Sequence, residues 1–165
     1  MVRHGYRVTV YASVPHQERG LDRSGVLWRH WSEFDFKRPR GTVVFWRSPG
    51  NLEMPIPATQ RVVWCHDVQT PADWTPIRVA LCDYCLVLSE FHKTTLAGKL
   101  PREKIIVTRN GIDSKLFRKT VAETKKDPKR IIFSSSPDRG ALTAIRAFQI
   151  ARAQDPELEL HIFYG

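Results

Sequence analysis

Short apolar runs separated by polar and turn-forming residues dominate the first two thirds of the chain. Most of these runs are continuous in apolarity, which is typical of strands that are covered on both faces in a parallel sheet. The pattern predicts five strands, at residues 6–12, 42–46, 61–65, 84–88 and 104–108. Residues 16–40 are harder to interpret, with a further candidate strand at 25–31.

Helical periodicity fills two of the gaps between these strands. Residues 73–81 place their apolar side chains on one stripe, and residues 90–100 follow Ser89, a residue type that favours the N-cap position. Ser89 is therefore predicted to be a structural cap, and His92 to lie on the helix surface or against a neighbouring loop. Alternating strands and helices predict the α/β class.

The alternation of predicted strands and helices begins again near the end of the chain. Residues 130–134 read as a strand, 138–153 as a helix and 158–163 as a second strand, which together predict one βαβ unit. The inner face of the helix is expected to carry Leu142, Ile145, Phe148 and Ala151. Because two strands and one helix make a small core, this unit is expected either to pack on the first part or to belong to a longer domain.

Composition narrows the class of protein. The 165 residues are 42% hydrophobic, with five Trp and eight Phe, which suffices for a packed core. No apolar run approaches the roughly 20 residues that span a bilayer, and the N-terminus has no apolar segment of a secretory signal. Together with the odd number of cysteines, this predicts a cytoplasmic protein with reduced thiols at Cys65, Cys82 and Cys85.

The Cys-x-x-Cys spacing of Cys82 and Cys85 raises the alternative of redox or zinc chemistry. A redox pair of the thioredoxin type sits at a helix start, whereas this pair spans a predicted helix end and strand. No second cysteine pair is present to complete a zinc site. The Cys-x-x-Cys spacing is therefore weak evidence for redox or zinc chemistry.

The formal charge of +9 favours anionic partners such as phosphates, nucleic acid or an acidic membrane surface. Residues 114–130 hold seven basic residues and two acidic ones, which predicts a solvated basic linker over 114–129. Phe117 is the one aromatic residue in that stretch, so base stacking is not expected and nucleic acid is disfavoured as a partner. Contact with an anionic membrane surface at the inner face is left open.

Four polar motifs each follow a predicted strand. In open α/β sheets, ligands bind outside the carboxyl ends of the strands, so these motifs are expected to converge. They are Trp-Cys-His-Asp at 64–67, Leu-Ser-Glu-Phe-His at 88–92, Arg-Asn-Gly-Ile-Asp at 109–113, and Ser-Ser-Ser-Pro-Asp-Arg-Gly at 134–140.

In this ordered set the chain resembles the GT-B glycosyltransferases, specifically the large retaining family 4. Residues 110–117 fit that family's Asn-Gly-Ile/Val-Asp-x-x-x-Phe signature without a gap. The resemblance covers nearly the whole chain and implies a Rossmann-like open parallel sheet, followed by the first βαβ unit of a second Rossmann-like domain. It divides the chain into most of an N-terminal acceptor-side domain at 1–113, the basic linker at 114–129, and the start of a donor domain at 130–165.

The resemblance implies transfer of a sugar from a nucleoside-diphosphate sugar to an acceptor hydroxyl, with retention of configuration. Neither a metal nor a cofactor is expected besides the nucleotide sugar, and the acceptor class (glycan, lipid or protein) is left open. A leaving diphosphate is stabilised by a helix N-terminus with a nearby Arg, which suggests Arg139 and Gly140. Pro137 suits the first helical turn, and Gly140 would let backbone approach a ligand closely.

His66 is the candidate catalytic residue, because an imidazole at a strand end can orient or deprotonate an acceptor hydroxyl. The alternative is a buried histidine whose ring is satisfied by a backbone carbonyl. Asp67, Asn110 and Gly111 are expected to line the ligand cleft, although Asp67 could instead cap the following segment. Asp113 is expected to cap the turn that leads to Phe117.

The family also uses a donor-site Lys, a spaced acidic pair and an N-terminal Gly-rich loop, none of which lies within these residues. The resemblance therefore implies further segments at both ends, and weak or no turnover by this chain alone. Two alternatives stay open. One is a non-catalytic nucleotide- or sugar-binding remnant of the same fold, and the other is a basic nucleic-acid-binding protein.

Overall fold

A computed structural model describes residues 2–112 and 114–164, apart from the side chains of Arg3 and Pro71. The chain divides into two compact units, Met1–Asn110 and Gly111–Gly165. The break falls inside the Arg-Asn-Gly motif, three residues before the predicted end of the first domain. In the described part of the chain, no helix has the length and apolarity needed to cross a bilayer.

A four-stranded, all-parallel sheet forms the centre of the first unit. Its four strands lie side by side in chain order. They are β4 (Arg40–Trp46), β5 (Ala58–Trp64), β6 (Tyr84–Val87) and β7 (Ile105–Val107). Two short helices follow β5 and β6 in the chain: α1 (Pro76–Leu81) and α2 (Glu90–Thr95). The parallel α/β sheet expected from the apolar runs is therefore confirmed.

The first predicted strand does not join this sheet. A separate three-stranded sheet is formed by β1 (Val8–Ala12), β2 (Gly20–Leu21) and β3 (Val26–His30). Its central strand is β3, which pairs in parallel with β1 and antiparallel with β2. Asp22 fixes the tight β2–β3 turn, because its carboxylate accepts from the Val26 amide at 2.9 Å and the Trp28 indole at 2.9 Å. The expectation of a single open parallel sheet is thus wrong for this part, although the candidate strand at 25–31 is confirmed.

One face of the parallel sheet carries the hydrophobic core. Helix α1, the 3-10 turn Pro49–Glu53 and the residues just after α2 supply side chains to that face. The buried cluster comprises Phe45, Leu52, Ile56, Val63, Cys65, Trp74, Cys82, Cys85, Val87, Leu96, Leu100 and Ile105. On the opposite face Val44 is 41% and Ile106 42% exposed, so the prediction of strands buried on both faces is only half correct. The alternate strand positions are covered only in part: Val62, beside Val44, is 7% exposed, whereas Val44 and Ile106 are open to solvent.

Side-chain caps begin both helices of the first unit. Thr75 accepts from the Arg78 amide at 3.3 Å, and Pro76 occupies the first helical position of α1. The predicted helix at 73–81 therefore starts later, since Asp73 belongs to a separate 3-10 turn. Ser89 caps α2 as predicted, and α2 ends at Thr95 instead of residue 100. Gly98, with φ of 75°, lies in the turn that follows.

The second unit contains the predicted βαβ arrangement. Strands β8 (Arg130–Ser134) and β9 (Glu159–Phe163) pair in parallel, and α4 (Ala141–Gln154) lies between them in the chain. Of the four side chains expected inward, Ile145, Phe148 and Ala151 are half-buried, but Leu142 is 59% exposed. None of the described residues of this unit is buried, as a sheet of two strands with one helix has too little surface to enclose a side chain.

A further helix precedes this βαβ unit. The residues predicted as a linker at 114–129 begin with α3 (Ser114–Glu123). Its apolar side chains Phe117 and Val121 are exposed, and Lys115 and Lys119 lie on the opposite side of the helix by helical spacing. Helix α3 is therefore amphipathic.

Candidate functional site

The carboxyl ends of the four parallel strands bring polar residues to one edge of the first unit. Arg47 follows β4, His66 and Asp67 follow β5, Ser89 follows β6, and Arg109 lies just beyond β7. Neighbouring strands in a sheet are about 4.8 Å apart, so side chains at adjacent strand ends can touch. The contacts at this edge decide which of them form a site.

The ring of His66 contacts two indole rings. Its ring centroid is 5.7 Å from that of Trp46 in an edge-to-face arrangement and 5.0 Å from that of Trp64. The Nε2 atom is shielded from solvent and has no hydrogen-bonding partner among the described residues. A backbone carbonyl therefore does not satisfy this nitrogen, and a ligand hydroxyl could pair with it.

Asp67 forms an ion pair with Arg47, whose Nε atom is 3.4 Å from Oδ2. Both side chains are about half exposed, so the pair contributes at most about 1 kcal/mol to stability. In the turn that follows, it is Asp73 that accepts from the Thr70 amide and hydroxyl. That hydrogen bond from the Thr70 hydroxyl is the main cause of the lowered pKa of Asp73.

A buried amide fixes the loops that carry this ion pair. The Nε2 of Gln69 donates to the carbonyl of Asp67 at 3.0 Å and to that of Arg47 at 3.4 Å. Lys99 donates in turn to the carbonyl of Gln69 at 3.3 Å. The ends of β4 and β5 are thus tied together beyond their last strand residues.

His92 is the second histidine near this edge. It is only 4% exposed, so the alternative that placed it on the helix surface is wrong. Burial lowers its pKa, an effect that Asp67 partly opposes and His66 reinforces. Its Nε2 atom also lacks a partner among the described residues. The ring is therefore held as a neutral imidazole behind His66 and Asp67.

The backbone is strained at this same edge. Among the described non-glycine residues, two adopt positive φ: Arg47 at 67° and Arg109 at 60°. The left-handed conformation costs a residue with a side chain about 1–2 kcal/mol. The turn predicted at Asn110-Gly111 therefore takes its left-handed residue from Arg109. Strain that the surrounding structure maintains is a feature of functional sites.

Asn110 and Gly111 are exposed residues at the junction of the units: Asn110 ends the first unit, and Gly111 begins the second. Asp113, the predicted cap before Phe117, lies outside the described residues. The structure therefore leaves the assignment of Asn110 and Gly111 to a ligand cleft as a prediction.

Arg139 and Gly140 lie in the second unit, just before α4. Arg139 ends the 3-10 turn Pro137–Arg139, and the predicted helix at 138–153 starts only at Ala141. Gly140 has φ of 102°, and a Cβ atom there would meet nothing within 4 Å. The glycine is thus required by its left-handed conformation and not by close packing within this chain. The guanidinium of Arg139 is exposed, and α4 presents amides without intrahelical partners.

The three cysteines are free and fully buried. The Sγ atoms of Cys65 and Cys85 are 3.7 Å apart, so the close contact is not within the Cys-x-x-Cys spacing. Burial raises the pKa of Cys82 to about 11, and the thiol of Cys65 together with burial raises that of Cys85. Neutral thiols of this kind are core side chains and poor nucleophiles. Among residues 2–112 and 114–164, no group of His, Cys, Asp or Glu has the geometry to hold a metal ion.

An open groove of about 560 Å³ runs along α4 in the second unit. Phe148, Arg152 and Leu160 line it, and none of the predicted site residues does. Its apolar lining comes from side chains that the small βαβ unit leaves half-buried. We therefore interpret it as uncovered core surface and not as a ligand site.

Sequence reasoning missed Trp46 and Arg47 as members of the site. The Trp-Arg-Ser-Pro segment at 46–49 follows a predicted strand in the same way as Trp-Cys-His-Asp at 64–67. Applying the strand-end rule to it would have found both residues. Their contacts with His66 and Asp67 were not predictable, because they join residues about 20 positions apart.

Comparisons with protein-family models, curated proteins and solved structures found no match. The structure places the chain in the mixed α/β class, with an all-parallel four-stranded sheet consistent with a Rossmann-like fold. Within that class, the carboxyl edge with His66 and Asp67 is the best-supported candidate site in the first unit.

Proposed function

We propose that this chain is part of a retaining glycosyltransferase of the GT-B class, which transfers a sugar from a nucleoside-diphosphate sugar to an acceptor hydroxyl. The observation that carries the proposal is the shielded, unpartnered Nε2 of His66 at the carboxyl edge of an all-parallel sheet. A ligand hydroxyl would satisfy that atom. The order of the strand-end motifs supports the specific family.

His66 has the chemistry to orient a hydroxyl. A neutral imidazole nitrogen accepts a hydrogen bond from an O–H group and can take its proton as negative charge develops. The His66 ring contacts both indoles, and such aromatic contacts favour particular ring arrangements. Asp67, Asn110 and Gly111 are assigned to substrate contact in the same proposal.

Arg139 and the start of α4 supply positive charge for the leaving diphosphate. The first amides of a helix point toward a bound anion, and the helix dipole adds roughly half a positive charge there. The exposed guanidinium of Arg139 adds a full charge two residues before Ala141, the first residue of α4. This second unit would therefore hold the nucleotide sugar by its phosphates, without a required metal.

The proposal places the reaction in the cytoplasm, where the nucleotide sugar is the co-substrate and the acceptor is a glycan, lipid or protein. Three reduced thiols in the core agree with a reducing compartment. Contact with the inner face of a membrane stays part of the proposal for a lipid acceptor.

The first prediction concerns donor binding by the second unit. Arg139→Ala is expected to weaken binding of UDP-glucose, GDP-mannose or ADP-glucose, whichever binds, roughly tenfold, because a charge-assisted hydrogen bond to phosphate is lost. Isothermal titration calorimetry measures this. Arg146→Ala is the matched control, since Arg146 is an exposed arginine farther along α4. Failure of all three nucleotide sugars to bind, or an equal loss in both variants, would contradict the proposal.

A further inference from the structure

Helix α3 is exposed along its whole length. None of its ten residues is buried, and the side chains of Phe117 and Val121 are 58% and 52% exposed. An isolated helix of fewer than about 12 residues is barely stable in water, and most helices in proteins are stabilised by packing of an apolar face. The apolar face of α3 therefore lacks, among the described residues, the packing surface that normally stabilises a helix of this length.

The side chains of α3 fall on two faces. Phe117 and Val121 are four positions apart, so they lie one above the other on the apolar face. Lys115 and Lys119 have the same spacing on the other side of the helix, and Arg118 lies at the border beside Val121. A phenylalanine on one face with lysines and an arginine on the other is typical of helices that lie in the plane of a membrane surface.

Basic charge continues beyond the end of α3. Residues 114–126 hold five basic residues and one acidic one, which gives this segment a net charge of +4. Lys129 and Arg130 come next, but each of them pairs with a carboxylate of the βαβ unit. Lys125 and Lys126 are exposed. The positive charge that a partner would meet therefore lies on α3 and on the two lysines that follow it.

This charge decides between the possible partners of the apolar face. A second copy of the chain would bring the same positive charge to the contact, so repulsion opposes self-association through α3. Nucleic acid would pair with the lysines, but it gives the aliphatic side chain of Val121 nothing to bind. An anionic bilayer surface suits both faces, because its headgroups attract the cations and its acyl boundary accepts the apolar side chains.

We propose that α3 docks on an anionic lipid bilayer and lies parallel to its surface. Phe117 and Val121 enter the boundary between headgroups and acyl chains, and Arg118 donates to lipid phosphates from the border of the apolar face. A helix with its side chains is about 10–12 Å across, and the Debye length is about 8 Å at physiological ionic strength. The attraction of Lys115 and Lys119, on the far side, therefore depends strongly on salt.

The inference goes beyond glycosyl transfer, since it assigns the protein to a surface and not to a substrate. It also names the element that would make the membrane contact which the proposed function includes for a lipid acceptor. The calorimetric test of Arg139 needs no vesicles, and a vesicle test needs no nucleotide sugar. The two proposals therefore fail separately.

Co-sedimentation of the 165-residue chain with lipid vesicles tests the inference. Vesicles of phosphatidylserine and phosphatidylcholine in equal parts are compared with vesicles of phosphatidylcholine alone. We expect at least about tenfold stronger binding to the anionic vesicles, because each basic side chain near an anionic surface strengthens binding about fivefold. Raising the salt concentration should weaken that binding.

Two exposed phenylalanines test the apolar contact. Phe117→Ser should weaken binding to the anionic vesicles at least about fivefold, because the ring is no longer transferred out of water. Phe91→Ser is the matched control, since Phe91 is 72% exposed on another helix, α2, and follows the acidic Glu90. The control variant should bind the vesicles as the wild type does.

Two exposed basic pairs test the charge in the same way. The double variant Lys125→Gln, Lys126→Gln should weaken binding at least about tenfold. The control Lys37→Gln, Arg38→Gln removes the same charge from an exposed pair in the first unit, and it should change binding less than about twofold. Circular dichroism of each variant checks that the fold is kept.

Three results would overturn the inference. The first is no binding to the anionic vesicles, or equal losses for Phe117→Ser and Phe91→Ser. The second is a loss with the lysine variant while Phe117→Ser binds normally, which would show a general attraction to polyanions such as nucleic acid. The third is a dimer in analytical ultracentrifugation that Phe117→Ser converts to a monomer, which would assign the apolar face to a second copy.

Discussion

At the scale of single residues, the burial of His92 makes the free energy of unfolding depend on pH. A histidine whose pKa is lowered by burial binds fewer protons folded than unfolded. Its ordinary pKa is 6.5, so the free energy of unfolding should fall as pH decreases through that value and on toward the lower folded pKa. Above pH 6.5 the stabilising contribution of His92 is complete, so His92 adds no pH dependence to the free energy of unfolding there.

We therefore predict that the free energy of unfolding of the first unit decreases from pH 7 to 5.5, and that His92→Leu removes part of this slope. Urea unfolding followed by tryptophan fluorescence measures it. The exposed His16 offers the control variant His16→Gln, which should keep the slope. The carboxyl groups with lowered pKa, such as Asp22 and Asp73, titrate below their ordinary value of 3.8 and do not enter this range. If the free energy of unfolding depends equally on pH in the wild type and in His92→Leu, His92 is not the cause of that dependence.

At the scale of elements, α2 depends on a single side-chain cap. The hydroxyl of Ser89 accepts from the amide of His92 at 3.0 Å, and the helix has only six residues. A helix this short is held by its caps and packing, because isolated helices of its length are unstable in water. The cap therefore also holds the histidine that lies behind the candidate site.

Ser89→Ala should lower the free energy of unfolding by about 1 kcal/mol, since an orphan helix amide loses its acceptor. Ser48 gives a matched control, as it precedes the 3-10 turn Pro49–Glu53 without a side-chain cap hydrogen bond. Ser48→Ala is expected to change stability by less than about 0.5 kcal/mol. Chemical denaturation compares the two variants, and similar losses in both would show that the cap has no special role.

Local patterns predicted local elements well. Strand β8 has the bounds 130–134 that its apolar run predicts, and Ser89 caps α2 as its residue type suggests. The pairing of β3 with β1 was not predictable, because register between strands about 18 residues apart depends on tertiary contacts. The open face of the sheet was missed for the same reason: a continuous apolar run does not reveal whether a helix covers it.

The candidate site likewise has residues that the local sequence predicts and contacts that it does not predict. His66 and Asp67 could be predicted, since a strand-end position follows from the local sequence. The ion pair to Arg47 and the two flanking indoles could not, as they come from strands that the sequence does not order. The unpartnered nitrogens likewise depend on the packing around them.

At the scale of the whole molecule, the two units differ in how much they bury. Every fully buried side chain among the described residues belongs to the first unit, whereas the second has only half-buried and exposed ones. Burial of apolar area is the main source of stability. The second unit should therefore open at much lower cost than the first.

Hydrogen exchange tests this difference. Backbone amides of β8 and β9 are expected to exchange at least about 100-fold faster than those of β5 and β6, because their opening needs little loss of buried surface. Amides of α4 should follow β8 and β9. Equal protection of the two sheets would show that the second unit is stabilised by contacts other than the buried side chains described here.

The alternation along β5 has a consequence for how this gene can change. Trp64 and His66 point to the open face, and Cys65 between them points into the core. Codon substitutions at 64 or 66 alter one side chain at a time. Loss or gain of a single codon within β5 would instead exchange the two faces, moving a thiol to the edge and an indole into the core. Length changes in this strand should therefore be eliminated by selection far more strictly than replacements.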